Sequence, residues 1–185
     1  MKFLSKLFCL ILIICLSPLL ALVAIAIIID DGLPMFFKQK RVGLNNVHFW
    51  IYKFRTMKKD TPDIPTHLVE DSQILYTRVG PLLRRFSLDE LPQLINILKG
   101  DMVFIGPRPA LYNQDDLNNL RTEAGVQVLT PGVTGWAQVN GRDELNISDK
   151  VKMDVYYLKN KSLWLDIKIL FMTVFKAFKM EGVSH

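Results

Sequence analysis

The run LFCLILIICLSPLLALVAIAIII, Leu7 to Ile29, constrains this chain more than any other feature. It holds about 23 residues without a charge, which as a helix at ~1.5 Å per residue is long enough to cross a bilayer. A cleaved signal peptide has an apolar core of ~7–15 residues followed by a polar cleavage region. Here the apolar run continues past every small residue. Ser17-Pro18 sits at its middle. Proline removes a helix hydrogen bond and kinks the helix, and a neighbouring serine can satisfy the freed carbonyl. The flanks are basic on both sides, with Lys2 and Lys6 before and Lys38, Lys40 and Arg41 after. Basic flanks favour the cytoplasm, so both ends are best placed on one side. The expectation is a re-entrant helix that dips into one leaflet, breaks at Ser17-Pro18 and returns. A straight, kinked span is the alternative.

With 185 residues the chain has room for one domain beside this element. We place the boundary after residue 33, with 34–185 forming a separate domain. The net charge of +5 is compatible with anionic lipid, phosphorylated substrates or nucleic acid, and selects none of them. Cys9 and Cys15 both lie inside the apolar run, so they form neither a disulfide framework nor a zinc signature. His48, His67 and His185 are scattered, which argues against a histidine metal site or a Ser/His triad.

After the membrane segment, PMFFKQKRVG and HFWIYKFRTM flank a GLNN turn. Trp50, Tyr52 and Phe54 alternate with Ile51, Lys53 and Arg55, the period of a half-buried strand, so a β-hairpin is expected. Its basic and aromatic mixture also occurs in proteins that bind single-stranded nucleic acid, but a small amphipathic sheet near a membrane explains it more simply. Residues 58–76 are polar, with two prolines, and read as a loop. A helix is expected around Ser148 to Lys159. In SLWLDIKILFMTVFKAFKM, Lys168, Lys176 and Lys179 fall in one wedge of an otherwise apolar wheel, the pattern of a helix lying in the membrane interface or of a core helix with one wet edge.

The densest charge lies in RRFSLDELPQLINILKGDM, residues 84–102. Leu91, Leu94, Ile95 and Leu98 mark an apolar helix face, and Gly100 suits the C-terminal cap. Pro92 is tolerated only near a first turn, so the helix is expected to begin at Leu88 or Asp89, with Asp89 and Glu90 at its start and Gln93 and Asn96 continuing a polar stripe. Ser87-x-x-Glu90 has the form of a capping box, the purely structural explanation for these acids. Context favours chemistry. Arg84 and Arg85 precede the acids, and GDMVFIGPRP follows as a short strand leading into a rigid turn around Arg108. Carboxylates for a cation and arginines for phosphate fit a magnesium-dependent phosphoryl-transfer site. TPGVTGWAQVNGRDE, residues 130–144, carries turn glycines and Arg142 but no GxGxxG or GxxxxGK[ST], so neither a dinucleotide fold nor a P-loop is indicated.

The ordered set FFKQKRVG, WIYKFRTM, R-x-x-SLDELPQLINILKGDM, GPRP, PGVTGWAQVNGR and DVYYLKN resembles the bacterial sugar transferases, specifically the small monotopic phosphoglycosyl transferases. The resemblance covers almost the whole chain. It implies an α+β, mainly helical fold: a re-entrant membrane helix, a small hairpin, a catalytic helix and interfacial amphipathic C-terminal helices. It also implies that 34–185 is a catalytic domain at the cytosolic face. It implies transfer of a phosphosugar from a UDP-sugar to undecaprenyl phosphate, giving undecaprenyl-diphosphate-sugar and UMP at the cytoplasmic face of the bacterial inner membrane. This is the first membrane step of glycoconjugate assembly. Asp89 would be the nucleophile, forming an aspartyl-phosphosugar intermediate. Glu90, with Asp89, would hold Mg²⁺, and Arg84, Arg108 and Arg142 would contact phosphate or nucleotide. Membrane lipid is an implied partner, nucleic acid is not, and monomer and homodimer are both compatible with the sequence. Many relatives carry an aspartate after the phenylalanine that opens the apolar run. SKLFCL has none. The competing readings are a UDP-releasing glycosyltransferase or related nucleotide-sugar or lipid-phosphate enzyme, and a non-catalytic membrane scaffold.

Overall fold

A computed structural model describes residues 2–59, 61, 75–141 and 145–179. Helix α1, Lys2–Asp31, runs without interruption and contains Pro18. Pro18 has no N–H to offer the Ile14 carbonyl, and Ser17 Oγ donates to that carbonyl at 2.8 Å. The Ser-Pro pair therefore carries its own local repair. Among the described residues, Ser5–Asp31 is the stretch long and apolar enough to cross a membrane by length and composition. Cys9, Val23 and Ile27 form a buried stripe along it, whereas Ile14, Leu22, Ile25 and Ile29 are exposed.

Contacts divide the chain into two compact units, one of residues 1–38 with 52–94, the other of 39–51 with 95 onward. α1 and the segment carrying Asp89 thus share one unit. Its core joins Val23 and Ile27 of α1 to Phe54 and Leu83, with Leu20, Met35, Phe36 and Leu88 packed against them. Polar staples supplement this packing. Cys9 Sγ donates to the Leu94 carbonyl at 3.2 Å, and the Val79 N–H donates to Asp30 Oδ2 at 2.9 Å. The buried Arg55 donates from Nη2 to the carbonyls of Asp31 and Gly32 at 2.9 and 2.7 Å. It thereby satisfies carbonyls that the end of a helix leaves without intrahelical donors.

The second unit is built on β3, Val103–Ile105, and β4, Gly132–Thr134, which pair in parallel with Val103 opposite Gly132 and Ile105 opposite Thr134. Helices α4 (Asp115–Glu123), α5 (Trp136–Val139), α6 (Ile147–Asn160) and α7 (Leu163–Lys179) complete it. Val126, Leu129, Val139, Tyr157, Leu165 and Ile169 form its core. A Cβ on Gly132 would lie 2.1 Å from the Gly106 nitrogen, and one on Gly135 would lie 2.1 Å from the Gly106 oxygen. These glycines permit close backbone approach, a role beyond the turns expected of them.

The hairpin is present as β1, Phe36–Val42, and β2, His48–Phe54. Phe49 and Ile51 are buried, and Trp50 is 55% exposed. This alternation holds over residues 48–51 and ends before Phe54, which is buried too. The C-terminal helices fall where expected. Most of the 58–76 loop, residues 60 and 62–74, lies outside the described residues.

Candidate active site

Asp89 and Glu90 do not open an α-helix. They sit in a 3-10 turn, Leu88–Glu90, and helix α3 runs over Gln93–Lys99, after Pro92. An α-helix begun at Leu88 would ask Pro92 for an N–H it lacks. The chain instead winds through i→i−3 bonds, Glu90 N–H to Ser87 O at 3.2 Å, Leu91 to Leu88 at 3.3 Å and Leu94 to Leu91 at 3.1 Å. The capping box is not formed either, because Ser87 adopts left-handed φ/ψ (53°, 24°) and its side chain caps nothing. Gly100 does end α3 as expected, at φ 92°, with its N–H on the Asn96 carbonyl.

Within this unit Glu90 Oε1 receives a 2.8 Å bond from Lys53 Nζ on β2, both side chains being mostly buried. Asp89 beside it is 7% exposed. Arg84, on α2 (Gly80–Arg85), is held in place. Its Nε donates to Thr56 Oγ1 at 3.1 Å, its Nη1 donates to the Tyr76 hydroxyl at 2.6 Å, and its guanidinium stacks 4.7 Å from the centre of the Tyr76 ring. The expected polar stripe proves to be buried: Gln93 and Asn96 are 1% and 0% exposed. No group of three or more His, Cys, Asp or Glu is gathered among the described residues. Two adjacent carboxylates are nonetheless the donor set that suits magnesium, which takes one or two carboxylates and completes its shell with substrate phosphates and water.

Arg108 belongs to the second unit, on a loop fixed at four successive carbonyls. Gly132 N–H donates to Pro107 O (2.9 Å), Arg121 Nη1 to Arg108 O (2.9 Å), Arg41 Nη1 to Pro109 O (3.1 Å) and Val42 N–H to Ala110 O (3.0 Å). Arg121 is anchored in turn by Asp154 Oδ2, at 2.9 Å from Nε and 2.6 Å from Nη2. Burial pushes the Asp154 carboxyl above the usual carboxylate range, against the opposing pull of Arg121. A shallow concavity beside Arg108 is lined also by Gly43, Asn46, Arg121 and Gln127. Arg142, the third expected phosphate contact, lies outside the described residues.

A family model for bacterial sugar transferases matches residues 1–180. The chain belongs to this family. Among curated relatives, it is 42% identical over 173 residues to an uncharacterized sugar transferase of Bacillus subtilis, covering 93% of this chain and 84% of that protein. It is 42% identical over 174 residues to the undecaprenyl-phosphate glucose phosphotransferase of Komagataeibacter xylinus, covering 88% of this chain and 33% of that protein. It is 39% identical over 169 residues to the UDP-glucose:undecaprenyl-phosphate glucose-1-phosphate transferase of Escherichia coli, covering 88% of this chain and 36% of that protein. The chain thus spans about a third of the length of the latter two.

Sequence reasoning missed four residues of this bacterial sugar transferase: Lys53, Gln93, Arg121 and Asp154. Lys53 was visible only as one charge in an alternating strand, and its partner lies 37 positions away. The Arg121–Asp154 pair spans 33 positions and left no local pattern. Gln93 alone carried a signal, its place on the stripe with Asp89.

Proposed function

We propose that this sugar transferase moves a sugar 1-phosphate from a UDP-sugar to undecaprenyl phosphate at the cytoplasmic face of the bacterial inner membrane, releasing UMP. The observation that carries the reading is a buried Asp89 adjoining a Glu90 already paired with a cation, inside a chain of this family. The relatives named as glucose and N-acetylgalactosamine phosphotransferases acting on undecaprenyl phosphate supply the substrate class.

Asp89 attacks the β-phosphorus through a carboxylate oxygen. The phosphorus–oxygen bond to UMP breaks, and UMP leaves with the electron pair. An oxygen of the lipid phosphate then attacks the same phosphorus, and the acyl-phosphate bond breaks, regenerating the Asp89 carboxylate. Dividing one displacement into two is the usual advantage of a nucleophile. Magnesium held by Glu90 and Asp89 would supply neutralising charge between an anionic carboxylate and an anionic diphosphate. Lys53 keeps Glu90 compensated and oriented. Arg84, Arg108 and Arg142 contact phosphate or nucleotide, Arg84 from a guanidinium preset by Thr56 and Tyr76 and Arg108 from a loop fixed at its carbonyls.

α1 re-enters the leaflet it left, and its exposed isoleucines and leucines meet lipid. The burial of Cys9 against Leu94 favours this over a perpendicular span, which would leave the N-terminal third of the helix alone in the bilayer. α7 lies at the interface, with Trp164, Phe171 and Phe175 (58–76% exposed) directed to lipid.

The test is UMP release by purified protein in nanodiscs with Mg²⁺, undecaprenyl phosphate and a panel of UDP-sugars. Wild type should release UMP with one donor, and Asp89→Asn should lower the rate at least ~10³-fold, as loss of a nucleophile does. UDP in place of UMP would assign a direct glycosyl transfer instead. An unchanged rate in Asp89→Asn would remove the covalent step.

A further inference from the structure

Gln93 is a buried polar group on the candidate catalytic segment. It is 1% exposed, and its side-chain nitrogen has no hydrogen-bond partner among the described residues. Buried amides are nearly always paired, because an unpaired donor gives up its hydration for nothing. Asn96, one turn further along the same helix, shows the ordinary solution, donating to the Trp50 carbonyl at 2.7 Å. Met and Leu have nearly the same bulk as Gln and would occupy the Gln93 site without an orphaned donor. A chain that keeps the amide there carries a destabilising group.

The location indicates what the group is for. The stretch from Ser87 to Leu94 is wound by i→i−3 bonds. Gln93 opens α3, three residues after Glu90 and four after Asp89, the spacings at which residues of one helical face recur. An amide offers two N–H donors and no charge. A donor already stripped of water contributes most to an oxyanion that forms in front of it, since nothing has to reorganise during the reaction.

We propose that Gln93 is a further catalytic residue, whose side-chain N–H donates to a phosphoryl oxygen of the phosphosugar as Asp89 takes it up. This rests on the phosphosugar-transfer reading above. Among the described residues no group receives that N–H, and the substrate's oxygen supplies the missing acceptor.

The experiment compares wild type, Gln93→Met and Gln93→Glu in nanodiscs, by thermal melting without ligand and by initial rates of UMP release. Gln93→Met should melt a few degrees higher than wild type, because the orphaned donor is gone. Its kcat should fall about 10²–10³-fold, as when one oxyanion donor is removed, with KM changed by less than about threefold. Gln93→Glu keeps the shape but replaces donors with acceptors, and should lose activity without gaining stability. A lower melting temperature for Gln93→Met would mean that the amide has a structural role, and would overturn the proposal. So would a Gln93→Met rate equal to wild type while wild type releases UMP. Absence of UMP from wild type with every donor would overturn the phosphosugar-transfer reading itself.

Discussion

The two acidic residues in Ser-Leu-Asp-Glu are adjacent in the sequence, so the chain announces them without help from the fold. Their surroundings are assembled from a distance, and Lys53 is the clearest case. Its ammonium compensates a Glu90 side chain that is mostly buried. Removing the lysine would take a hydrogen-bonded cation from a carboxylate with little water to replace it, which costs about 1–3 kcal/mol. Lys53→Met should therefore lose that much stability in chemical denaturation and at least ~10-fold in UMP release. Lys53→Arg, which keeps a cation in reach, should recover part of both. Arg84 teaches the converse. Its position in the motif pointed to phosphate, yet the local structure first commits it to Thr56 and Tyr76.

Among the elements, the hairpin, the strand before GPRP and both C-terminal helices were legible because their periodicities are strong and local. The start of α3 was misplaced because Pro92 reads as a residue of the first helical turn, whereas the turn before it is 3-10 and α3 begins after it. The buried parity of β2 was obscured too. Trp50 and Ile51 are both apolar, and only the packing decides which faces inward. The junction of α6 and α7 is joined by the Tyr157 hydroxyl, which donates to Asp166 Oδ1 at 2.7 Å. Burial pushes the ionisation of Tyr157 well above its ordinary 10.0, and the bond to Asp166 adds to the shift. A group whose folded pKa is raised contributes fully below its unfolded pKa and loses that contribution as pH rises past it. Stability should therefore decline above pH 10.0. Tyr157→Phe should be less stable near neutral pH by about 1 kcal/mol, for the lost hydrogen bond, and should show a shallower alkaline decline in melts followed from pH 8 to 12.

For the whole molecule, the sequence led us to expect a membrane element followed by a separate domain, and did not show that contacts would group α1 with residues 52–94. Membrane placement is the property to test at this scale. With Lys6→Cys, a re-entrant helix keeps the thiol on the cytoplasmic side, so an impermeant maleimide should label it only after cells are opened. Adding Pro18→Leu removes the break in the helix hydrogen bonds and should increase labelling from outside. Labelling of intact cells in the Pro18 background would establish a spanning helix instead.

The order in which partners are synthesised adds one more consequence. Cys9 bonds a carbonyl 85 positions downstream, and Ile27 shares a core with Leu83. At the ribosome's ~5–20 residues per second, the Cys9 partner emerges about 4–17 s after Cys9 itself. In the membrane placement proposed above, the stripe that will later face protein has only lipid to face for that interval. This accounts for an α1 that is apolar all the way round, on the side it will bury as well as the side it leaves bare: the bilayer serves as a stand-in core until translation delivers the permanent one.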